Sequence, residues 1–313
     1  MTAGRPILVT GAYRSGTTIT GQMLATSPEL VYVQEPFNPF YFDVGVSSMR
    51  FERLFEHVTL ENGRALEESM RRLCALEPNT AEALAEADSE ESRAAAQARD
   101  EAWGAARAAG HRALLKDPIA FFAAPWISDV TGAQVVVTVR HPGSFVGSLK
   151  RLGWQTAVGD LLGQPDLAAL RFPHLVESSR AYQPVNAELI GQAATFWNLV
   201  YTTAIQYREE RPDWLFVRHE DISRAPVQTF DRLFGALGVP VSDAMRSTVE
   251  AYIAPGLPAE VPTNVTHAPV DGRRNAERWY SLLTQDEIDL VREITGETAR
   301  AFYEESDWER PPA

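Results

Sequence analysis

The sequence predicts an α/β fold: a P-loop-like three-layer sandwich, with a central parallel sheet flanked by helices and one helical insertion. Three observations carry this expectation. Short apolar runs such as ILVT, LVYV and QVVVTV are the kind that fill strands buried on both faces of a parallel sheet. Helical patterns separate them, which is the alternation of βαβ units. The first run also passes through a glycine-bounded turn straight into a helix start, the layout of a phosphate-binding loop.

Taken in order, Ile7 to Thr10 is a buried strand meeting a turn at Gly11. Thr17 to Ala25 follows as a helix, ended by Ser27-Pro28 because proline drives its predecessor out of the helical region. Leu30 to Val33 is a second strand opening into QEPFNPF. From about 43 to 110 alanine, glutamate and arginine dominate, as in ALEESMRRLCALE. That stretch reads as an insertion of helices with a solvated face, either covering the acceptor side of the sheet's ligand edge or serving as plain packing. His111 to Lys116 and Gln134 to Val139 are strands, ending in LLKDP and Arg140. TFWNLVYTTAIQYREERP is a helix whose Trp197, Tyr201 and Tyr207 belong to the core. Trp214 to Val217 is a strand ending in RHED, and FDRLFGALGVP is an amphipathic helix closed by Gly238. The chain then reads as loop through VPTNVTHAPVDGRRNAERW, and a last helix runs from about Thr284 to Tyr303. With no internal repeat, residues 1–313 read as a single domain carrying the insertion.

Composition narrows the function. Hydrophobic residues at 45% and charged residues at 23% belong to an ordinary globular protein. The formal charge of −13, from 29 basic and 42 acidic residues, argues against nucleic acid or an anionic membrane as partner, while leaving room for a local basic pocket. The single cysteine, Cys74, cannot form an internal disulfide, which fits a cytoplasmic setting, and its place in RRLCALE is that of a packed residue. The N-terminus lacks the basic and long apolar segments of a signal peptide, and QVVVTV is too short to span a membrane.

The loop carries the chemistry. Gly11, Gly16 and Thr18 match G-x-x-x-x-G-K-[ST], but Thr17 stands where that pattern has lysine, and Arg14 sits inside the loop. Backbone N–H groups entering a helix converge on one spot, and the helix dipole favours an anion there. Arg14 adds a permanent charge suited to two oxygens at once. A nucleoside-triphosphate enzyme usually also holds magnesium on an acid at a neighbouring strand end. Here the strand QVVVTV ends in Arg140, which repels a metal and attracts a second anion. The expected ligand therefore has two separate anionic ends and no obligatory metal. Two readings compete with an enzyme of that kind: a P-loop kinase acting on a small molecule with ATP–Mg²⁺, and a module that holds a nucleotide without turnover.

The stretches YRSGTT, VRHPGSFVGSLKR and RHEDISRAP together resemble a sulfotransferase that uses 3′-phosphoadenosine 5′-phosphosulfate (PAPS) and releases the bisphosphate PAP. The resemblance runs from Ile7 to the Trp279 region, with the insertion least matched. It implies that Arg14, Ser15, Gly16, Thr17 and Thr18 hold the 5′-phosphosulfate. It implies that Arg140 and Ser148 hold the 3′-phosphate, a helix from Ser144 onward bringing Ser148 back over Arg140. A basic C-terminal loop supplies Arg273, Arg274 or Arg278 to the same phosphate, with Arg274 the candidate. LLKDP is similar to the K-D-P segment of tyrosylprotein sulfotransferases and puts Lys116 near the transferring group, a structural ion pair to a nearby acid being the equal alternative. Glu35 in QEPFNP corresponds to the glutamate of carbohydrate and tyrosylprotein members and is the expected base; Pro118 stands where cytosolic small-molecule members carry a histidine. RHED, with His219 in place of tyrosine, reads as strand-end scaffolding, and His141 lies next to the nucleotide through Arg140. The acceptor is then a hydroxyl of a small molecule or carbohydrate, in a pocket built by the insertion and residues 153–175, with Phe37, Phe40, Tyr41, Trp154 and Phe172 as candidate lining.

Overall fold

Five strands form one parallel sheet in the order β2-β3-β1-β4-β5. They are β1 (Ile7–Gly11), β2 (Leu30–Gln34), β3 (Arg112–Lys116), β4 (Gln134–Val139) and β5 (Leu215–Arg218). The computed structural model describes residues 4–182, 188–254, 256 and 271–309. Alternation along the strands sends side chains to two cores. Ile7, Val9, Leu114 and Val136 face one, with Leu24, Phe230 and Val249. Leu8, Leu115, Val135 and Val137 face the other, with Phe145, Trp197 and Val291. Helices therefore cover both faces, giving the three layers.

On the first face lie α1 (Thr17–Leu24) and, later in the chain, α12 (Pro226–Leu237) and α13 (Asp243–Tyr252). Between β2 and β3 come α2 (Glu67–Cys74), α3 (Thr80–Glu86) and α4 (Glu90–Ala108), preceded by turns and a short 3₁₀ segment. Helix α4 starts on a capping box in which the Ser89 hydroxyl accepts from Ser92 N–H at 3.1 Å. Helix α2 packs against β3 and α5 (Ala124–Thr131), burying Met70 and Leu73 in the second core. Burial pushes the Cys74 thiol up to about 12, so it stays a protonated packing group.

After β4 the chain forms α6 (Pro142–Leu152), then the short α7 (Val158–Leu162), α8 (Pro165–Arg171) and α9 (Val176–Arg180), then the long α10 (Leu189–Glu210). The aromatic stripe of α10 is core, and it also caps β4: Trp197 Nε1 donates to the Arg140 carbonyl at 2.8 Å and Tyr201 Oη to that of Thr138 at 3.1 Å. Past β5 come α11 (His219–Arg224), α12 (Pro226–Leu237), α13 (Asp243–Tyr252), α14 (Gly272–Glu277), α15 (Trp279–Leu282) and α16 (Gln285–Ala299). Helix α12 stops at Gly238, whose φ of 67° is the left-handed C-cap expected of glycine. Helix α16 begins where expected, with Thr284 as its cap, but ends earlier than Tyr303. The segment read as loop through GRRNAERW is helical from Gly272, because Asp271 caps the Arg274 N–H at 3.1 Å. Residues 261–270, with His267, lie outside the described residues. No helix among the described residues is long and apolar enough to cross a membrane.

Gly11 ends β1 with φ 139°, and a Cβ there would stand 2.5 Å from the Thr138 carbonyl oxygen. Gly11→Ala should therefore push β1 from β4 and lower stability by roughly 1–3 kcal/mol, the cost of overpacking. A shifted midpoint in urea unfolding checks this; an unchanged midpoint would show that the strands yield freely.

Candidate active site

Strand register sets the site. Lys116 is level with Val9 on one side and Gln34 on the other, while Gly11 is level with Thr138. The carboxyl ends of β2, β3, β1 and β4 thus share one edge, where parallel sheets bind ligands.

In the loop, Ser15 is fully buried. Its N–H donates to the Ala12 carbonyl at 3.2 Å, its hydroxyl contacts the same carbonyl, and that hydroxyl lies 2.6 Å from Thr138 Oγ1. Ser15 therefore locks the loop to β4 instead of facing a ligand, which corrects the expectation for it. Gly16 caps α1 with φ 98°, and a Cβ would stand 2.9 Å from the His219 ring. The N–H groups of Thr17 and Thr18 open the helix and have no intrahelical acceptor, so they are offered to an anion. Thr17 is buried and Thr18 half-buried.

Arg14 adopts φ 61°, a left-handed backbone that is uncommon outside glycine and typical of functional turns. Its Nε donates to Ser148 Oγ at 3.4 Å, and its guanidinium lies over the Trp154 ring at 5.5 Å. Arg140 is almost fully buried; its Nε donates to Ser144 Oγ at 2.8 Å and its Nη1 to the Arg14 carbonyl at 2.7 Å. Helix α6 starts at Pro142, two residues earlier than expected, and Ser144, not Ser148, is the hydroxyl on Arg140. Ser148, the next turn on, serves Arg14. The two arginines, expected at separate ends of a ligand, line one cavity of about 40 Å³ with Arg151 and Arg278. Ser144, Ser148 and Asn275 complete its polar wall, and no carboxylate is among its described lining residues. Burial, then repulsion from Arg140 and Arg151, pushes the Arg14 guanidinium down to about 10; burial likewise lowers Arg140.

Arg274 is exposed and does not line this cavity; Arg278, one turn further, does. The side chain of Arg273 lies outside the described residues. Trp279 explains the choice. It rests on α6 at Gly143 and Gly147, where a Cβ would stand 2.6 and 3.1 Å from it. That contact seats Arg278 beside Ser144 and Ser148.

On the other side of the loop Lys116 Nζ and Glu35 Oε1 form an ion pair. Lys116 is 2% and Glu35 15% exposed at the side chain, so the pair sits at the bottom of the edge with the carboxylate nearer solvent. Of the two alternatives for Lys116, the structure shows the ion pair with a nearby acid, and that acid is Glu35. Glu35 has φ 47°, its N–H donates to the Lys116 carbonyl at 2.9 Å, and its Oε2 accepts from Asn38 Nδ2 at 2.7 Å. Asp117, not singled out by its sequence context, staples this turn by accepting from Phe37 N–H at 2.7 Å and Ile119 N–H at 2.9 Å.

Of the aromatic candidates, Phe37 and Phe172 are core, Phe37 stacking on Phe51 at 4.3 Å. Phe40, Tyr41 and Trp154 are exposed. His219, at the end of β5, is pressed against Gly16 at the loop; nothing in RHED itself announces that contact. His141 is buried between Trp279, Tyr303 and Trp308, so Trp279 rather than His141 faces the basic cavity.

A family model described as the sulfotransferase family matches residues 6–243. No curated protein matches the chain. Among solved structures, the sulfotransferase domain from the curacin biosynthetic pathway superposes with a TM-score of 0.51 at 15% identity, covering 97% of this chain and 99% of that one. A sulfotransferase from Mycobacterium avium gives 0.46 at 15% identity over 96% and 78% of the two chains. A mouse sulfotransferase complexed with PAP gives 0.46 at 11% identity over 95% and 86%.

Burial, reinforced by Arg224, Arg292, Arg140 and Arg218, pushes His141 down to about 3 from 6.5. The unfolded chain then binds a proton that the native state refuses, so stability through this group is complete above about 6.5 and is lost as pH falls. The loss is on the order of 1 kcal/mol per pH unit. His141→Phe should therefore gain stability relative to the wild type as pH is lowered from 6.5 towards about 4. Paired thermal melts across that range test it, and parallel curves would refute a neutral His141.

Proposed function

The chain belongs to the sulfotransferase family, and on that premise we propose that it moves a sulfuryl group from PAPS to a hydroxyl of a small-molecule or carbohydrate acceptor. The observation that carries the choice of donor is the cavity where Arg14, Arg140, Arg151 and Arg278 converge with two serines and no described carboxylate, directly beside the N-terminus of α1. One anion on the loop amides and a second in the arginine cavity fit a ligand with two acidic ends. The residues present therefore fit PAPS, and no metal is needed to neutralise it.

When bound, PAPS supplies a sulfuryl group activated by its phosphate leaving group. The amides of Thr17 and Thr18 hold the phosphosulfate end, Arg140, Ser144, Ser148 and Arg278 hold the 3′-phosphate, and Arg14, which belongs to the loop and also lines the arginine cavity, serves between the two. In this reading Ser15 shapes the loop and Arg278 replaces Arg274. Glu35 takes the acceptor's proton as the acceptor oxygen bonds to sulfur and the sulfur–oxygen bond to the phosphate breaks; the proton then passes to solvent. Lys116 brings positive charge to the oxygens on which charge builds.

In this proposal the helical stretch between β2 and β3 belongs to a single catalytic domain and borders its acceptor side. A cavity of about 370 Å³ between Gln34, Pro36, Tyr41 and Trp103 supports this, with Asp43 and Arg99 joined across it at 2.6 Å. Exposed Phe40 and Trp154 offer apolar surface to an acceptor.

Calorimetric titration with adenosine 3′,5′-bisphosphate should show binding without added metal, and ATP–Mg²⁺ should bind far more weakly. Arg140→Ala should weaken the bisphosphate by on the order of 10²-fold, as expected for a buried charge-assisted contact. Preferential binding of ATP–Mg²⁺ would overturn the donor assignment in favour of a kinase. Glu35→Gln should lose about 10²–10⁴-fold in sulfuryl transfer, the contribution typical of a general base, with bisphosphate affinity retained. Undiminished turnover would remove Glu35 from the role.

A further inference from the structure

We propose that Asn38 is a positioning residue for the reaction: it holds the second oxygen of Glu35, so that the base meets the acceptor hydroxyl already oriented. The inference rests on the reading of Glu35 as base. Glu35 lies just past the end of β2, on a left-handed backbone with φ 47°, where no regular element fixes its side chain. Two donors do so instead. Lys116 takes Oε1, and Asn38 Nδ2 donates to Oε2 at 2.7 Å.

The orientation of the Asn38 amide is not arbitrary. Phe40 N–H donates to Asn38 Oδ1 at 3.0 Å, so the oxygen must face Phe40 and the NH₂ must face Glu35. Asn38 N–H donates to the Glu35 carbonyl at 3.0 Å, closing the turn, and Asp117 anchors that turn to β3 through Phe37 N–H. Asn38 is 9% exposed, so its amide has little water to exchange with. A carboxylate can accept about four hydrogen bonds. With one donor on each oxygen it is held in place and still has lone pairs for the acceptor's proton.

The turn alone does not require asparagine. An aspartate would accept from Phe40 N–H equally well, since both residues support such turns. What aspartate cannot do is donate to Glu35; it would set one carboxylate against another. Asn38→Asp thus keeps the turn but replaces the proposed contact with a like charge, while Asn38→Leu removes both of the amide's hydrogen bonds without adding a charge.

The test combines the pH profile of sulfuryl transfer with ¹³C NMR titration of glutamate carboxyls in the ligand-free protein, the Glu35 signal being the one lost in Glu35→Gln. In Asn38→Asp the acid limb of kcat and the Glu35 titration midpoint should both rise by about one pH unit or more, as a like charge dictates. In Asn38→Leu kcat should fall by on the order of 10²-fold, the effect of a misplaced reacting group, with the Kd for adenosine 3′,5′-bisphosphate unchanged. An unmoved acid limb and midpoint in Asn38→Asp, or wild-type kcat in Asn38→Leu, would overturn the proposal. A fully active Glu35→Gln would instead sink the assignment of the base. The NMR midpoint in Asn38→Asp still decides whether Asn38 controls that carboxylate.

Discussion

Where β1 turns into the loop, Gly11 lies so close to the Thr138 carbonyl that even a methyl group would collide with it. That approach clamps the loop onto the end of β4, and Ser15 completes the clamp through Thr138. Once the loop is fixed there, the Arg14 carbonyl comes within reach of Arg140, and each arginine finds its own serine one turn apart on α6. On the far side β3 is in register with β1, so Lys116 emerges at the same height and meets Glu35 from β2. Positions of both halves of the site follow from how tightly β1 sits between its neighbours.

The electrostatics run against the rest of the molecule. A chain of net charge −13 gathers four guanidiniums around a small cavity whose described walls carry no acid. Mutual repulsion and burial already depress Arg14. Such an arrangement is unfavourable when nothing binds and becomes favourable when an anion enters, so binding energy is concentrated there. The Glu35–Lys116 pair differs, because its charges compensate each other before any ligand arrives. One half of the site is therefore primed by excess charge, and the other is held neutral and oriented.

Much of this was legible in the sequence, for identifiable reasons. The strands were visible because parallel strands buried on both faces are almost uninterrupted apolar runs, and their ends were marked by Gly11, Glu35, Lys116 and Arg140. Residues attached to strand ends could be placed by topology alone. Those depending on helix phase could not. Starting α6 at Pro142 rather than Ser144 rotates the helix, which exchanges the serine expected on Arg140 for another. The choice of Arg278 over Arg274 was hidden for a related reason: its place is set by Trp279 lying on Gly143 and Gly147, more than a hundred residues earlier, a contact with no local pattern. Ser15 looked like a ligand because its motif is read by residue type, whereas its side chain turns inward. The Arg140 strand end could have hinted at a second serine, since a buried guanidinium needs several acceptors.

Trp279 has one more implication, for the order in which the molecule is completed. The basic cavity draws residues from the beginning, the middle and nearly the end of the chain. A ribosome that has released everything up to α13 has supplied the whole sheet and its loop, yet neither Arg278 nor the indole that seats it. Domains begin to fold as they emerge, so this chain supplies its scaffold first and completes the basic cavity last.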